Sequence, residues 1–573
     1  MNSKAKLSYQ SILGYLLIGI SLIMLGKSFA LCFSNDIWYD ELFTVGMIQH
    51  SYGDLITFTA RDVHPPLYYC IVKFFVELCK LMVPNASSVV VAKIVSVLPY
   101  FILLLYSVTF IRRRFGIFTG GVFMFCVIAM PQLSAYTVEV RMYSFALLFV
   151  TAAFLHAYGI VTGTRGAVSN ADGSFRKFVF AWKVHGHAVA LVLYGLAAAY
   201  TQYFACVAVI MVYLYVLAVF LIRDRRKVKQ WILWVAMSVM GYTPWLYALY
   251  RQISTVNENY WILPLSWRTL GGCVKFLMKP AFTNNVLNTG LAVVLFVVYI
   301  IVLMWNIAKL CHDRREFANN SETRDYSEYI IEVYNNSEFI IAGVGVLAGL
   351  VLFGFIASAI LRPIFVYRYM IPALGCFWLS FAVGLGAMAD SEVRQPTAAF
   401  LTVRRKIINV TVHKDKINKG ITTAICGLII LVGLRDYRAF MGEEEYKILL
   451  MKDTNAALNE IGGEDILIYN FDQVQMVTGF YTDNDSYLWY GQPEALIQEI
   501  CGYKGALNED TGQIKEWISQ GRKVWFVGSF NSREDIIEEW RAAGISAKET
   551  GSYLLERYWF NLYELSSDSI IRK

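Results

Sequence analysis

Apolar residues along this chain come in blocks of about 18 or more, separated by short polar or basic stretches, and that is the length a helix needs to cross a bilayer. The blocks predict about eleven spanning helices, at 11–33, 89–111, 116–133, 142–162, 186–201, 204–222, 231–250, 287–310, 339–361, 370–389 and 420–434. The run Pro65–Leu81 breaks the pattern. Two prolines open it and Lys73 and Glu77 interrupt it, so it predicts an amphipathic helix lying in the membrane interface. After Arg435 the pattern changes again. Asp465–Tyr469 and Lys523–Val527 have the character of strands, Arg533–Ala543 of a helix, and Ser552–Leu565 is rich in aromatic and β-forming residues. That alternation predicts a small α/β domain over 436–573, following a transmembrane part over 1–435.

Composition supports the membrane reading. Of 573 residues, 57% are hydrophobic and 17% charged, against roughly 25% charged in soluble domains. The first apolar run, Ser11–Phe33, is longer than a signal-peptide core and lacks a small-x-small cleavage site, so it is expected to remain as the first span. The ten cysteines show no C-x-x-C pair, and most lie in apolar runs, where they pack as small hydrophobes.

The net charge of +7 fixes direction instead of naming a partner, and no nucleic-acid partner is expected. With the N-terminus in the cytoplasm, Arg112–Arg114, Arg176-Lys177, Arg223–Lys229, Arg314-Arg315 and Arg404–Lys406 all fall inside, as the positive-inside rule requires. Counting Pro65–Leu81 as a span would put most of these clusters outside. The expected protein is a plasma-membrane chain with its C-terminus and its first long loop, 34–88, on the outer side.

That topology gathers polar residues at one outer depth. The first outer loop carries Asp40-Glu41 and Asp62-x-His64-Pro65-Pro66. Later outer turns carry Glu139-x-Arg141-Met142-Tyr143, Tyr200-Thr201-Gln202-Tyr203 and Arg362 with Arg368-Tyr369. Charges beside spans are costly and mark functional candidates. Carboxylates take protons from hydroxyls, arginine forks match phosphate, and aromatic rings stack on sugar faces. Taken singly, each group has an ordinary reading: solvated loop acids, a structural histidine, helix-end arginines, interfacial tyrosines. Their convergence on the face opposite to the basic loops is what those readings leave unexplained.

These motifs, in this order, resemble the membrane-embedded glycosyltransferases of the GT-C superfamily. The nearest branch is the bacterial one related to protein O-mannosyltransferases and the aminoarabinose–lipid A transferase. The resemblance covers about 10–435, and includes Tyr200–Phe204, with Gln202 where histidine is common, and Tyr242-Thr243-Pro244-Trp245. It implies a polytopic helical fold with a polyprenyl-phosphate sugar donor entering from the lipid bilayer. It also implies sugar transfer, with inversion, to an acceptor hydroxyl on a protein, lipid or wall polymer. Asp40, with Glu41 beside it, maps onto the catalytic acid. His64, where the aminoarabinose transferase carries a lysine, together with Arg141 and Arg368, maps onto donor-phosphate binding. Asp62, Glu139, Tyr143, Tyr200, Gln202, Tyr203 and Tyr369 map onto substrate binding. Some superfamily members use a divalent ion near Glu139 and this branch generally does not, so no metal is assigned. A flippase or transporter of lipid-linked sugars is the alternative, although such folds usually show internal repeats and midplane charges.

Overall fold

The computed structural model describes residues 8–166, 174–255, 262, 264–281, 284–319, 324–389, 404–482, 484–490, 495–502, 509–555 and 558–567. In chain order it begins with α1 (Tyr9–Leu31), α2 (Tyr39–Met47), α3 (Tyr52–Arg61), α4 (Leu67–Met82), α5 (Ser88–Tyr106), α6 (Arg112–Ala129) and α7 (Tyr143–Gly166). Next come α8 (Ser174–Ala199), α9 (Tyr203–Arg223), α10 (Val228–Thr255), α11 (Trp267–Met278), α12 (Asn285–Asn319), α13 (Arg324–Ile360), α14 (Ile371–Ala389) and α15 (Arg404–Leu458). The C-terminal elements are β1 (Ile466–Tyr469), α16 (Asp472–Gly479), β2 (Asp485–Leu488), α17 (Ala495–Cys501), α18 (Thr511–Ser519), β3 (Val524–Gly528), α19 (Ser532–Ala542), β4 (Ile545–Leu555) and β5 (Tyr558–Ser567).

Nine helical stretches among the described residues are long and apolar enough to cross a membrane, by length and composition. One of them, Ser88–Ala129, holds two of the expected spans. Gly116 divides it, at φ 87° and ψ 162°, a backbone region essentially closed to residues with a Cβ. Past that point the chain doubles back, and a Cβ on Gly120 would stand 2.6 Å from the Ser107 carbonyl oxygen. With Val184–Ala199 present as a shorter apolar helix, all the expected spans have a counterpart. Gly116→Ala should lower stability by about 1–3 kcal/mol, read as a lower Tm of the purified protein. The last span departs from expectation in one respect: α15 does not end near Arg435 but runs on as helix to Leu458.

The chain divides into two compact units. The first comprises Met1–Phe29, Ser96–Val138 and Met142–Phe440. Its centre is α14, buried along almost its whole length and packed on α6, α7 and α13. Lipid offers no hydrophobic drive between helices, so close packing must hold them. Tyr299 lies flat on Phe377, with ring centroids 4.1 Å apart, and its hydroxyl donates to the Phe377 carbonyl at 3.1 Å. α1 and α6 touch at Gly14 and Gly121, where a Cβ on Gly121 would come within 2.5 Å of the Gly14 carbonyl oxygen.

The second unit comprises Ala30–Val95, Glu139–Arg141 and Met441–Lys573. Its five-stranded sheet has the order β2-β1-β3-β5-β4. β1 is parallel to β2 and β3, while β5 is antiparallel to β3 and β4. β1 and β3 are buried residue by residue, as the inner strands of a covered sheet must be. Ile468, Phe526, Trp489 and Trp540 lie at the core. The first long loop belongs to this unit. α17 packs on α2 and α3, His50 meets the Ile500 carbonyl at 3.0 Å, and Arg61 pairs with Glu499 at 2.7 Å. The expected amphipathic helix is α4. It buries Tyr68, Tyr69, Val72 and Val76 and exposes Phe74, Leu78, Leu81 and Met82.

Candidate functional site

α2 begins where Trp38 takes an extended conformation and its N–H is received by the Glu41 carboxylate at 3.1 Å. This closes the first turn in the manner of a capping box. The other Glu41 oxygen accepts the Val140 N–H at 2.7 Å, and Thr44 Oγ1 donates to the Val140 carbonyl at 2.9 Å. The three-residue segment Glu139–Arg141 is thus stitched to α2. Arg141 completes the seam, with Nη1 donating to the Asp40 carbonyl oxygen at 2.9 Å. Glu41 therefore holds backbone with both of its oxygens, whereas the Asp40 side chain, one residue earlier, is half-buried.

His64 arrives from the other end of the loop. Ser51 caps α3, its hydroxyl accepting the Asp54 N–H at 3.2 Å. The helix stops at Arg61 because Pro65 and Pro66 cannot continue it, and α4 restarts at Leu67. In the interval His64 is buried with Nε2 3.1 Å from Arg141 Nη2. A guanidinium only donates, so Nε2 is the acceptor, and the imidazole is neutral with its proton on Nδ1. Tyr69 is fully buried in the field of Arg141, Asp62 and Asp40. Burial pushes its hydroxyl well above the usual tyrosine range, Arg141 pulling the other way. One face of the second unit thus brings together Asp40, Asp62, His64, Tyr69 and Arg141.

If Arg141 serves the reaction, His64→Leu, which takes away the acceptor of its N–H, should lower the rate, and His64→Gln, whose amide oxygen can take the same N–H, should keep most of it. Initial rates of both variants beside the native protein check it.

A second buried charge pair lies nearby in the same unit. Lys93 meets Asp36 at 2.7 Å, with both side chains under a tenth exposed, and also donates to Ser34 Oγ at 3.1 Å. Its charge lowers the Glu41 pKa, against the larger upward push of burial. Sequence reasoning passed over Lys93 and Thr44, and gathered Tyr69 with the outer residues without giving it a role. A lysine inside the apolar run Val89–Val95 was a readable signal for the first; no pattern marks Thr44.

Of the remaining candidates, Glu139 belongs to the second unit and the others to the first. Tyr143 is buried, edge-on to Tyr136 at 5.2 Å. The Tyr200 hydroxyl donates to the Gly241 carbonyl at 2.9 Å. Tyr203 donates to Gln252 Oε1 and accepts from Trp245 Nε1 at 3.1 Å. Both tyrosines therefore tie the α8–α9 turn to α10. Tyr369 stacks on Phe204 at 4.7 Å, and Arg368 is half-buried in the turn Tyr367–Met370. Gln202, at the start of α9, is buried with neither amide atom hydrogen-bonded among the described residues. Glu139 is half-buried in a tight turn, its carbonyl accepting the Arg141 N–H at 2.8 Å. Among the described residues no three histidine, cysteine, aspartate or glutamate side chains gather as a metal-binding group.

No protein-family model and no curated protein matches the chain by sequence. Among solved structures it is similar to ArnT from Cupriavidus metallidurans in the apo state. The TM-score is 0.52 at 12% identity, over 97% of this chain and 98% of that one. The same ArnT bound to undecaprenyl phosphate gives 0.49 at 12% identity, over 96% and 97%. The archaeal oligosaccharyltransferase AglB from Archaeoglobus fulgidus gives 0.37 at 10% identity, over 90% and 69%. The likeness to apo ArnT, running nearly end to end, is one of fold: a polytopic helical part followed by a small C-terminal α/β domain.

Proposed function

We propose that this chain is an integral-membrane glycosyltransferase that moves a hexosyl or pentosyl group from a polyprenyl-phosphate donor to an acceptor hydroxyl, with inversion. The N-terminus is cytoplasmic in this reading, and transfer takes place on the outer face of the plasma membrane. The observation that carries it is Arg141. This buried, permanently charged guanidinium is pinned by the Asp40 carbonyl and the neutral His64 imidazole, beside the half-buried Asp40 carboxylate. The GT-C type fold supports it, as do the motif order and the basic clusters of the loops.

In the reaction, Asp40 takes the proton of the acceptor hydroxyl as its oxygen attacks the anomeric carbon from the face opposite the phosphate. The bond from the anomeric carbon to the phosphate oxygen breaks, and polyprenyl phosphate leaves with the electron pair. Arg141 meets the charge growing on that leaving group, and donors aimed at developing charge typically contribute about 10²–10³ in rate. His64 acts through Arg141, and Glu41 by holding α2 to the segment that carries Arg141. The roles of Arg368, Tyr143, Tyr200, Gln202, Tyr203 and Tyr369 rest on the motif resemblance alone.

The test is reconstitution of the native protein in sealed vesicles with radiolabelled polyprenyl-phosphate hexoses and pentoses and membrane extract as acceptor. Label leaving the lipid for an acceptor fraction is the expected result and begins to name the sugar. Label that crosses the vesicle membrane while still on its lipid, with no transfer, would overturn the reading in favour of a flippase.

A further inference from the structure

The second unit carries a half-open cavity of about 340 Å³ on the side of α2 turned away from Asp40. Leu42 and Gly46 line it from one face of α2, and Gln49 from the turn that follows the helix. Asp40 lies about half a turn of azimuth from that face. The opposite wall is the end of α16 with Phe480, Tyr481 and Thr482, and Ile500 and Cys501 of α17 close the cavity. Its volume is within the range of small-ligand sites, which starts near 300 Å³.

The lining specifies a chemistry. None of the described lining residues carries a charge, and burial pushes the Cys501 thiol up to about 12, so it stays protonated. A phosphate, a carboxylate or a cation would find no counter-charge among the described lining residues. Hydrogen-bonding groups are nonetheless plentiful. Gln49 brings an exposed amide, Thr482 a hydroxyl that donates to the Thr478 carbonyl at 3.5 Å and keeps its lone pairs for a ligand donor, and α16 ends at this wall, the negative end of a helix, which favours donors such as ligand hydroxyls. Phe480 and Tyr481 add two aromatic rings, set edge to face at 5.2 Å. Tyr481 is also held in place, its hydroxyl donating to the Asn35 carbonyl at 2.9 Å and accepting the Ile37 N–H at 3.1 Å. Amide, hydroxyl and carbonyl groups beside aromatic rings, without charge, suit a ring that is apolar on its faces and hydroxylated at its rim.

We infer that this cavity binds a neutral sugar ring belonging to the acceptor. The sugar chemistry follows from the lining; the acceptor assignment rests on the transferase reading above. A lipid-linked donor could present the same chemistry, but the cavity lies on the α2 face away from the proposed base, where the sugar being transferred has no business. An acceptor extending past its reacting hydroxyl would need a hold there.

Saturation-transfer NMR on the detergent-purified full chain tests the binding, with the methyl glycosides of glucose, galactose, mannose and N-acetylglucosamine as probes. Two variants accompany the native protein: Thr482→Trp, which fills the cavity, and Gln49→Leu, which removes an exposed amide and spares the fold. Transfer to at least one glycoside is expected, with Kd weakened tenfold or more in both variants at unchanged Tm. No transfer to any glycoside, or transfer that both variants leave intact, overturns the site. Displacement of the glycoside by polyprenyl-phosphate sugar overturns the acceptor assignment. In the vesicle assay the same variants should raise the acceptor KM about tenfold with kcat and donor KM unchanged. Sugar binding by NMR in a protein that transfers nothing would leave this site standing and sink the transferase instead.

Discussion

Asp40→Asn should reduce transfer about 10²–10⁴-fold, the contribution of a positioned base, with no change in Tm. The structure makes this substitution clean. Asp40 holds Arg141 with its backbone carbonyl, at 2.9 Å, and an amide side chain leaves that bond in place. The side chain is half-buried near the start of a helix, where asparagine is well tolerated, so lost activity would not be lost folding. Initial rates at saturating donor, paired with thermal unfolding of both proteins, make the measurement. Equal turnover would remove Asp40 from the chemistry and leave the task to another carboxylate on the same face, with Asp62 the first to test.

Glu41→Ala should have a large structural effect near the site. It takes the acceptor away from two backbone N–H groups, those of Trp38 and Val140, and a buried donor left without a partner costs about 1–3 kcal/mol. It also frees the segment that carries Arg141, so transfer should fall together with Tm. Burial pushes the Glu41 carboxyl from 4.5 up to about 7, with Lys93 and the two N–H groups opposing. The folded protein therefore holds this proton over a range in which the unfolded chain has lost it. The stability drawn from Glu41 is full below about pH 4.5 and declines as pH rises toward 7, by about 3 kcal/mol for a shift of this size. Glu41→Gln lacks that slope. The native Tm should thus lose ground to the Gln variant between pH 5 and pH 8, and parallel curves would refute the assignment.

The spans were legible because lipid leaves the backbone little choice. Each apolar block of the right length must satisfy its own hydrogen bonds, and a helix does so. The double span at Ser88–Ala129 was legible too, since Arg112–Gly116 interrupts it. Strands β1 and β3 stood out as apolar runs, whereas β2 did not: its four residues, Asp485–Leu488, are only alternately buried. The extension of α15 past Arg435 escaped notice because its polar residues match a solvated helix as well as a domain start.

At the candidate site the pattern of legibility is similar. Asp40, His64 and Arg141 stood out as polar residues at a costly depth. What each one does depended on bonds between residues far apart in sequence. Nothing local tells that Glu41 would reach Val140, or that a histidine would serve an arginine. The tyrosines of the α8–α9 turn show the converse, since their place in a motif said nothing of hydroxyls engaged by α10.

The second unit is assembled from three stretches of chain, and the last of them starts roughly 300 residues after Arg141. A ribosome adding about 5–20 residues per second therefore delivers Asp40, His64 and Arg141 at least about 17–70 s before the helices α16 and α17 that brace α2. During that interval most of the membrane part is already being inserted, yet the first loop lacks its support. The nascent protein is thereby kept idle until the C-terminal helices emerge, and a chain cut short before α17 is left with its site residues but without the helices that brace α2.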